Sequence, residues 1–391
     1  MTPAKQPPKS RGMWLDKPRN PNAPLAGLKV LELARVLAGP WAGQIVADLG
    51  ADVIKVESPD GDGTRQWGPP WIERENSERE AAYYHAANRG KRSIVANFRD
   101  EADLARVRDL AASADVVLEN FKTGTLAKFG LDYDSLAKPN PGLVYCSITG
   151  FGQTGPRAHE AGYDFVIQAM SGFMALTGEP QGQPMKMGIS ISDLTCGLYA
   201  VIGIQAALAM RGRTGRGQHV DMALLDCSVG LLASQAMHLF TTGENPPRMG
   251  NEHAQVSAYG VFPVADGEVV LAPANDGLFR RLLTLLGRDD LLEDARFATN
   301  EDRLANRAEL DAMIAGETSK WPLDKLLADC ATDGIPAGRV NGIDAVFEEA
   351  QVKARGMRIE LDGIPGVRSP FTFSDAELAL DRPSPRKGAD G

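Results

Sequence analysis

The sequence has few of the residues that mark metal-binding and disulfide-rich proteins. Its 391 residues include only four cysteines and five histidines. The cysteines are far apart and form no CxxC pair, and the histidines share no metal-ligand spacing. The sequence therefore predicts no zinc site, no other metal and no disulfide framework. We expect a reducing, cytoplasmic compartment.

The chain has no excess of positive charge and no long apolar run. The net charge of −9 argues against general binding to nucleic acid or to an anionic membrane surface. No apolar run approaches the roughly 20 residues of a membrane span. Residues 1–24 are rich in Pro, Lys and Arg but lack the apolar segment of a signal peptide. They are predicted to form a flexible arm, with Met13 and Trp14 available to pack on a partner.

Strands alternate with helices in the first half of the chain. One predicted helix has a proline near its start and a glycine at its end. Another has its leucines and valine on one face. This alternation is typical of a parallel α/β sheet. The predicted strands are 28–33, 51–57, 115–121 and 142–152, and the predicted helices are 39–50 and 100–114.

The pattern changes beyond about residue 185, and the chain is too long for the roughly 250–300 residues of one core. Two domains are therefore expected. The second half is predicted to contain a β-hairpin with an Asp-Gly turn and a loose polar tail. The predicted segments are a helix ending in a basic, Gly-rich turn over 192–218, helices 219–240, 277–287 and 324–334, hairpin 256–274, a loop continuing as helix over 334–357, strands within 357–376, and tail 381–391.

A dinucleotide site is the first function that a strand–helix–strand unit suggests. Glu57 ends the second strand, where a ribose-binding acid would lie. The preceding turn, "ARVLAGPWAG", lacks the G-x-G-x-x-G pattern that lets the backbone approach a pyrophosphate. A nicotinamide cofactor is therefore not expected. The alternative role of this turn is to pack the helix on the sheet.

Basic residues cluster in two segments near predicted strand ends. Asn120–Lys122 follows a strand, and ligands of parallel sheets bind outside the carboxyl ends of the strands. A polyphosphate there would meet an amide, an aromatic face and an ammonium group. The alternative to a polyphosphate site, which composition alone favours, is that these basic residues form a solvated charged face. The basic residues are Arg89, Lys91, Arg92, Arg99, Lys122 and Lys128.

One carboxylate stands out in "AGYDFVIQAMSG", residues 161–172. Asp164 could be the N-cap of the apolar segment that follows it. It could equally be a nucleophile towards an activated acyl group, kept ionised by a helix N-terminus. His159 lies five residues earlier, so an acid–base pair is a further possibility, with a surface histidine as its alternative.

Six segments in order together resemble the class III (CaiB/BaiF) coenzyme A transferases, over about residues 25–375. This resemblance implies an acyl-CoA:carboxylate CoA transferase in which Asp164 is the nucleophile. The segments are "PLAGLKVLELARVLAGPWAGQIVADLGADVIKVE", "NRGKRSI", "ENFKTGTLAKFGLDY", "SITGFGQTGPRAHEAGYDFVIQAMSGFMALTG", "RTGRGQHVDMALLD" and "GIPAGRVNGIDAVFEEAQVKARGM".

The resemblance also implies a site and an order of events. Asp164 would be acylated to a mixed anhydride and then carry CoA as an aspartyl thioester before CoA passes to the acceptor acid. No tightly bound cofactor is implied, because the CoA thioester is itself the substrate. The residues implied to bind CoA are Val36, Leu37, Ala38, Ala96, Arg99, Asn120, Phe121, Lys122 and Lys128.

The architecture implied is an interlocked, ring-like homodimer. Each chain would have a Rossmann-like large domain, built from both chain ends, and a smaller α+β domain. The expected segments are the arm 1–24, the large CoA-binding domain 25–220, a linker helix 221–245, the small domain 246–330 and a return segment 331–391 that completes the large domain.

Two departures bear on the substrate. The formyl-CoA transferase branch has a glycine-rich loop where this chain has "RMGNEHAQVSAYG", and it places an arginine where this chain has Ser58. The different loop argues against formyl or oxalyl transfer, and Ser58 indicates that the contacts with the CoA nucleotide differ locally. An α-methylacyl-CoA racemase is the alternative enzyme of the same fold, but its motif reads "GHD" where Tyr163 precedes Asp164 here. A non-catalytic CoA-binding protein would not need Asp164.

Overall fold

The structure, a computed structural model, describes residues 13–74 and 78–391. The chain divides into two compact units. The first comprises the chain up to residue 174 together with 186–241 and 350–391, and the second comprises 175–185 and 242–349. The division after residue 349 is later than the sequence-based boundary at 330, because strand Ala337–Arg339 pairs with strand Gly267–Leu271 of the second unit.

The first unit is built on a six-stranded sheet, in which every pairing is parallel. In chain order the strands of the described residues are β1 (Lys29–Glu32), β2 (Asp52–Glu57), β3 (Trp71–Glu73), β4 (Arg79–Ala81), β5 (Arg92–Val95), β6 (Val116–Glu119), β7 (Val144–Thr149), β8 (His219–Ala223), β9 (Gly260–Val264), β10 (Gly267–Leu271), β11 (Ala337–Arg339), β12 (Arg358–Leu361) and β13 (Ile364–Val367). The prediction of a parallel α/β sheet is confirmed.

The strand order of this sheet is β5-β2-β1-β6-β7-β8. Counted along the chain, this is the doubly wound order 3-2-1-4-5-6. The order reverses between β1 and β6, which are the first and fourth of the six strands. In such a sheet the ligand crevice lies outside the carboxyl ends of the strands at that reversal.

Helices cover both faces of the sheet. In chain order, the helices of the described residues in the two units are α1 (Ala38–Asp48), α2 (Ala82–His85), α3 (Glu101–Ala112), α4 (Tyr133–Leu136), α5 (Asp164–Met170), α6 (Phe173–Leu176), α7 (Ile191–Thr214), α8 (Leu224–Gly230), α9 (Ala233–Thr242), α10 (Asp276–Leu285), α11 (Asn300–Ala305), α12 (Arg307–Thr318), α13 (Leu323–Thr332), α14 (Ile343–Glu348) and α15 (Ala350–Ala354). Val30 and Val116 pack with residues of α1 and α7, whereas Leu31 and Val117 pack with α3. Because neighbouring strand residues point to opposite faces, each central strand contributes apolar side chains to two cores.

The prediction that a helix begins at His219 is wrong. Residues His219–Ala223 form β8, which pairs in parallel with β7. Val220 and Met222 both pack on the core, and their spacing of two is the period of a strand. The helix begins only at Leu224.

Helix α7 corrects the expectation that no segment approaches the length of a membrane span. Among the described residues it is the one helix long and apolar enough to cross a membrane by length and composition. Its buried residues include Cys196, Ala200 and Ile204, and it packs against α1, β7 and β8. This is the position of a core helix of the sheet.

Residue 14 of the predicted arm and the C-terminal tail both make contacts that the sequence did not predict. Trp14 is buried in its own chain, and its Nε1 donates to Ser113 Oγ at 2.9 Å. Residues 1–12 of the predicted arm lie outside the described residues. The expectation of a loose C-terminal tail is wrong, because Ser93 N–H donates to Asp390 at 3.0 Å and Lys387 Nζ donates to the Pro59 carbonyl at 2.8 Å.

The second unit is a separate core around an antiparallel sheet of order β11-β10-β9. The predicted hairpin is confirmed as the β9–β10 pair. Phe262, Leu271, Leu282 and Leu326 are buried together in its core. The predicted loop and helix over 334–357 contain the unpredicted strand β11 as well as α14 and α15.

Candidate active site

The loops that follow β1 and β6 form two walls of a cleft of about 170 Å³ in the first unit. This is the place where the strand order predicts a ligand crevice. Six of the nine residues predicted to bind CoA line it: Val36, Leu37 and Ala38 from the first loop, and Asn120, Phe121 and Lys122 from the second.

The other three predicted CoA-binding residues are not among the described residues that line this cleft. Ala96 is buried at the end of β5, and its N–H donates to the Glu57 carbonyl at 2.8 Å. Arg99 and Lys128 are exposed. Their role in binding CoA therefore stays a prediction from the family resemblance.

Asn120 joins the two loops through its side-chain amide. Its Oδ1 accepts a hydrogen bond from Arg35 N–H at 2.9 Å, and its Nδ2 donates to the Arg35 carbonyl at 2.6 Å. The Arg35 guanidinium lies 5.6 Å from the ring centroid of Phe121 and lines the cleft. Sequence reasoning missed Arg35, although its position directly after the first strand was a usable signal.

The third wall is the end of β7 and the loop that leads to Asp164. Gly150 and Gly162 pack backbone to backbone here, since a Cβ on Gly150 would lie 2.6 Å from the Gly162 Cα. A side chain at either position would push the two segments apart. Both glycines and Tyr163 line the cleft; Asp164 is not itself among the lining residues but directly follows Tyr163.

Asp164 is held by the beginning of another helix. Its Oδ1 accepts hydrogen bonds from Ser192 N–H at 2.8 Å and Asp193 N–H at 3.4 Å, and its Oδ2 accepts one from Gln168 Nε2 at 2.7 Å. Ser192 and Asp193 are in the first turn of α7, whose own N-cap Ser190 makes no side-chain capping bond. The N-cap of α5 is Tyr163. The alternative that Asp164 is the N-cap of the segment after it is therefore wrong: Asp164 accepts hydrogen bonds from the N-terminal amides of α7.

Asp193 is a second carboxyl group at this site and lines the cleft. Burial, and then the negative charge of Asp164, raise the pKa of Asp193 to about 7. Two close carboxylates cannot both ionise freely, so one of the pair retains its proton more readily. Sequence reasoning did not find Asp193, because its contact with Asp164 spans 29 residues of chain.

Several other sequence candidates have structural partners. The Glu57 carboxylate accepts hydrogen bonds from Arg65 at 2.6 and 2.8 Å and from Ser93 Oγ at 2.6 Å, so it is not free for a ribose. The predicted basic residues Arg89, Lys91 and Arg92 are buried in ion pairs with Asp48, Glu32 and Asp52 at 2.5, 2.8 and 2.6 Å.

The histidines provide no evidence for a metal. His159 is exposed in the loop before Asp164. Within residues 13–74 and 78–391, no group of three or more His, Cys, Asp or Glu side chains could hold a metal ion.

Comparison with known proteins identifies relatives along nearly the whole chain. The model of the family described as CoA-transferase family III matches residues 25–391. The chain is 54% identical to the succinate–glutarate CoA-transferase of Agrobacterium fabrum, over 94% of each protein. It is 38% identical to the succinyl-CoA:glutarate CoA-transferase of Mus musculus, over 94% of this chain and 86% of that protein.

A solved structure agrees with these relatives. The crystal structure of a CaiB/BaiF family protein from Brucella suis superimposes with a TM-score of 0.86 at 58% sequence identity. The match covers 94% of this chain and 97% of that one.

Proposed function

The chain belongs to CoA-transferase family III and transfers CoA between an acyl-CoA thioester and a carboxylate, and from this premise we propose that Asp164 is the covalent nucleophile of the reaction. The observation that supports this proposal most strongly is the carboxylate of Asp164, which directly follows the cleft-lining Tyr163 and is oriented on both of its oxygens by hydrogen bonds. A nucleophile held in this way loses little entropy on reaching its target.

The reaction consists of four acyl-transfer steps. An oxygen of Asp164 attacks the thioester carbonyl, the C–S bond breaks, and a mixed anhydride and CoA thiolate form. The thiolate attacks the aspartyl carbonyl, which releases the donor acid and leaves an aspartyl-CoA thioester. The acceptor carboxylate attacks that thioester and expels CoA thiolate, which then takes the new acyl group and regenerates Asp164. No net proton is taken up or released.

The N-terminal amides of α7 have a direct part in this sequence. When thiolate or acceptor attacks the aspartyl carbonyl, negative charge develops on its oxygen. Oδ1 already accepts hydrogen bonds from Ser192 N–H and Asp193 N–H at 2.8 and 3.4 Å. These donors stabilise the developing oxyanion in the manner of an oxyanion hole. Oδ2 is then the oxygen that attacks the donor thioester.

The cleft is the proposed binding site for CoA. Arg35 and Lys122 are exposed cations at its lining, and Phe121 offers an aromatic face. CoA carries phosphates and an adenine, for which these groups are suitable partners. No tightly bound cofactor is needed, because the thioester already activates the acyl group.

The names of the relatives suggest the class of acids. The proteins that are 54% and 38% identical to this chain are named for succinate and glutarate. We propose that this enzyme likewise exchanges CoA between short dicarboxylic acids, with succinyl-CoA and glutarate as the first pair to test.

A homodimer is proposed from the apolar surface of the first unit. Ile202 on α7 and Phe240 on α9 are 62% and 75% exposed, and Phe165 on α5 is 57% exposed. Large apolar side chains exposed on several helices are typical of a surface that another chain covers. A second copy of this chain is the proposed partner. The cytoplasmic compartment stays a prediction, consistent with four buried free cysteines.

Trapping the intermediate tests the proposed nucleophile. Enzyme incubated with succinyl-CoA and then hydroxylamine is expected to carry a hydroxamate at Asp164, which peptide mass spectrometry detects. A racemase would instead exchange the α-proton of a branched acyl-CoA with deuterated water and leave Asp164 unmodified. An unmodified Asp164 in an enzyme that transfers CoA would refute the covalent mechanism.

A further inference from the structure

Val36 has an unusual backbone conformation in the cleft. Its φ is +70°, in the left-handed region. Valine is branched at Cβ and rarely adopts this conformation, which is normally left to glycine and asparagine. Such a strained residue persists only when its surroundings enforce it, and these residues are frequent at ligand sites. Since Val36 lines the cleft, the groups that enforce its conformation also shape the proposed CoA site.

The Val36 N–H points to the carboxylate of Asp62. The two Asp62 oxygens accept it at 3.3 and 3.4 Å. Asp62 is 4% exposed, and its Oδ1 also accepts hydrogen bonds from Thr64 N–H at 3.0 Å and Thr64 Oγ1 at 2.8 Å. Asp62 therefore has a fixed orientation beneath the turn.

Lys55 completes the support. Its Nζ lies 3.0 Å from Asp62 Oδ2 and donates to the Ala34 carbonyl at 2.8 Å. The buried pair thus contacts both ends of the turn from Ala34 to Val36. Burial alone would raise the pKa of Asp62, but Lys55 and Thr64 lower that pKa below its ordinary value, so the carboxylate stays ionised.

We propose that Asp62, fixed by Lys55, is a positioning residue for acyl-CoA: it holds Val36 in the left-handed conformation and so sets the position of Val36 and of the first residues of α1 at the cleft. Asp62 acts through the Val36 N–H. The inference that Asp62 positions acyl-CoA rests on the proposed function. The inference that Asp62 keeps Val36 in the left-handed conformation depends only on the fold.

A double-mutant cycle tests this proposal with Asp62→Ala, Val36→Gly and the two combined. Glycine adopts positive φ without strain, so it needs no enforcement. Asp62→Ala is expected to raise KM for succinyl-CoA about tenfold with kcat changed less than about threefold, because it weakens binding that is present throughout the reaction. With glycine at position 36, the same change is expected to raise KM less than about threefold.

Asp52→Ala is the matched control. Asp52 is also buried and ion-paired, with Arg92 at 2.6 Å, but it begins β2, at the opposite end from the cleft. The Asp52→Ala substitution is expected to lower the unfolding temperature and to leave KM for succinyl-CoA unchanged. A KM unchanged by Asp62→Ala, or raised equally in both backgrounds, would overturn the proposal. If Asp62→Ala does not fold, Asp62→Asn breaks the Lys55 ion pair more gently, and a wild-type KM for that variant overturns the proposal as well.

Unfolding temperatures separate this inference from the proposed function. An enzyme with no activity on any acyl-CoA would refute the proposed function. The unfolding temperatures of wild type, the two single variants and the double variant would still test whether Asp62 keeps Val36 in the left-handed conformation. Asp62→Ala is expected to lower the unfolding temperature less with valine at position 36 than with glycine, because valine relaxes from its strained conformation once the hydrogen bond is lost, whereas glycine has no strain to release. An equal decrease in unfolding temperature with valine and with glycine at position 36 would refute the inference that Asp62 keeps Val36 in the left-handed conformation.

Discussion

Replacing Asp164 separates its role as nucleophile from its role in capping α7. Asp164→Ala removes the acceptor of Ser192 N–H and of Gln168 Nε2. Loss of a helix cap costs about 0.5–2 kcal/mol, and a buried donor left without an acceptor costs about 1–3 kcal/mol. A domain is stable by roughly 5–15 kcal/mol, so the variant is expected to fold with a lowered unfolding temperature.

Asp164→Asn keeps one oxygen but places an NH₂ group where an acceptor was. Gln168 cannot easily turn its oxygen towards that group, because its Oε1 accepts Met187 N–H at 2.9 Å. Asp164→Asn therefore leaves one poorly matched hydrogen-bond donor, which is expected to lower the free energy of unfolding by about 1–3 kcal/mol. Neither variant has a carboxylate to acylate, and both are expected to lose transfer by about 10⁴-fold or more.

The assay follows CoA transfer from succinyl-CoA to glutarate by mass spectrometry, with calorimetric unfolding of each variant. Thr299→Ala is the control, because Thr299 caps α11 in a capping box and its loss should cost a similar 0.5–2 kcal/mol. It is expected to lower stability and preserve kcat. Should Asp164→Ala transfer CoA at near the wild-type rate, Asp164 would be a capping residue only and the mechanism would be abandoned.

Three further predictions concern the cleft, the second carboxyl group and the partner surface. Lys122→Ala is expected to raise KM for acyl-CoA about tenfold with kcat preserved. The increase should exceed that of Lys128→Ala, since of these two residues only Lys122 lines the cleft. Equal KM values for the two variants in steady-state kinetics would contradict this. Because the pKa of Asp193 is raised to about 7, the unfolded chain releases this proton at lower pH than the folded one, and stability falls as pH rises from about 4 to 7. Asp193→Asn is therefore expected to unfold at a higher temperature than wild type at pH 8, with the gain vanishing towards pH 4; calorimetry showing no gain at pH 8 would exclude the raised pKa. Light scattering is expected to show a dimer that Ile202→Asp or Phe240→Asp weakens, and a stable wild-type monomer at micromolar concentration would refute the partner surface.

The strands that the sequence reveals differ from those it hides for a physical reason. β1, β2, β6 and β7 are interior strands of the sheet, and each contains adjacent apolar residues buried on opposite faces. β5 and β8 are its two edge strands. β5 begins with Arg92, which pairs with Asp52, and β8 has exposed Asp221 at its centre. Neither has an apolar run long enough to distinguish a strand from a loop or a helix start.

The sequence by itself determined the parallel α/β class, the family and the position of Asp164, because each depends on residues close together in the chain. Only the tertiary structure decided which groups surround that carboxylate and which charges are free. The backbone amide that binds Asp164 most closely belongs to Ser192, 28 residues later. Arg89 and Lys122 look alike as basic residues, yet one is buried against Asp48 and the other lines the cleft. A side chain's charge is written in the sequence, but its partner and its exposure to water depend on segments that meet only when the chain folds.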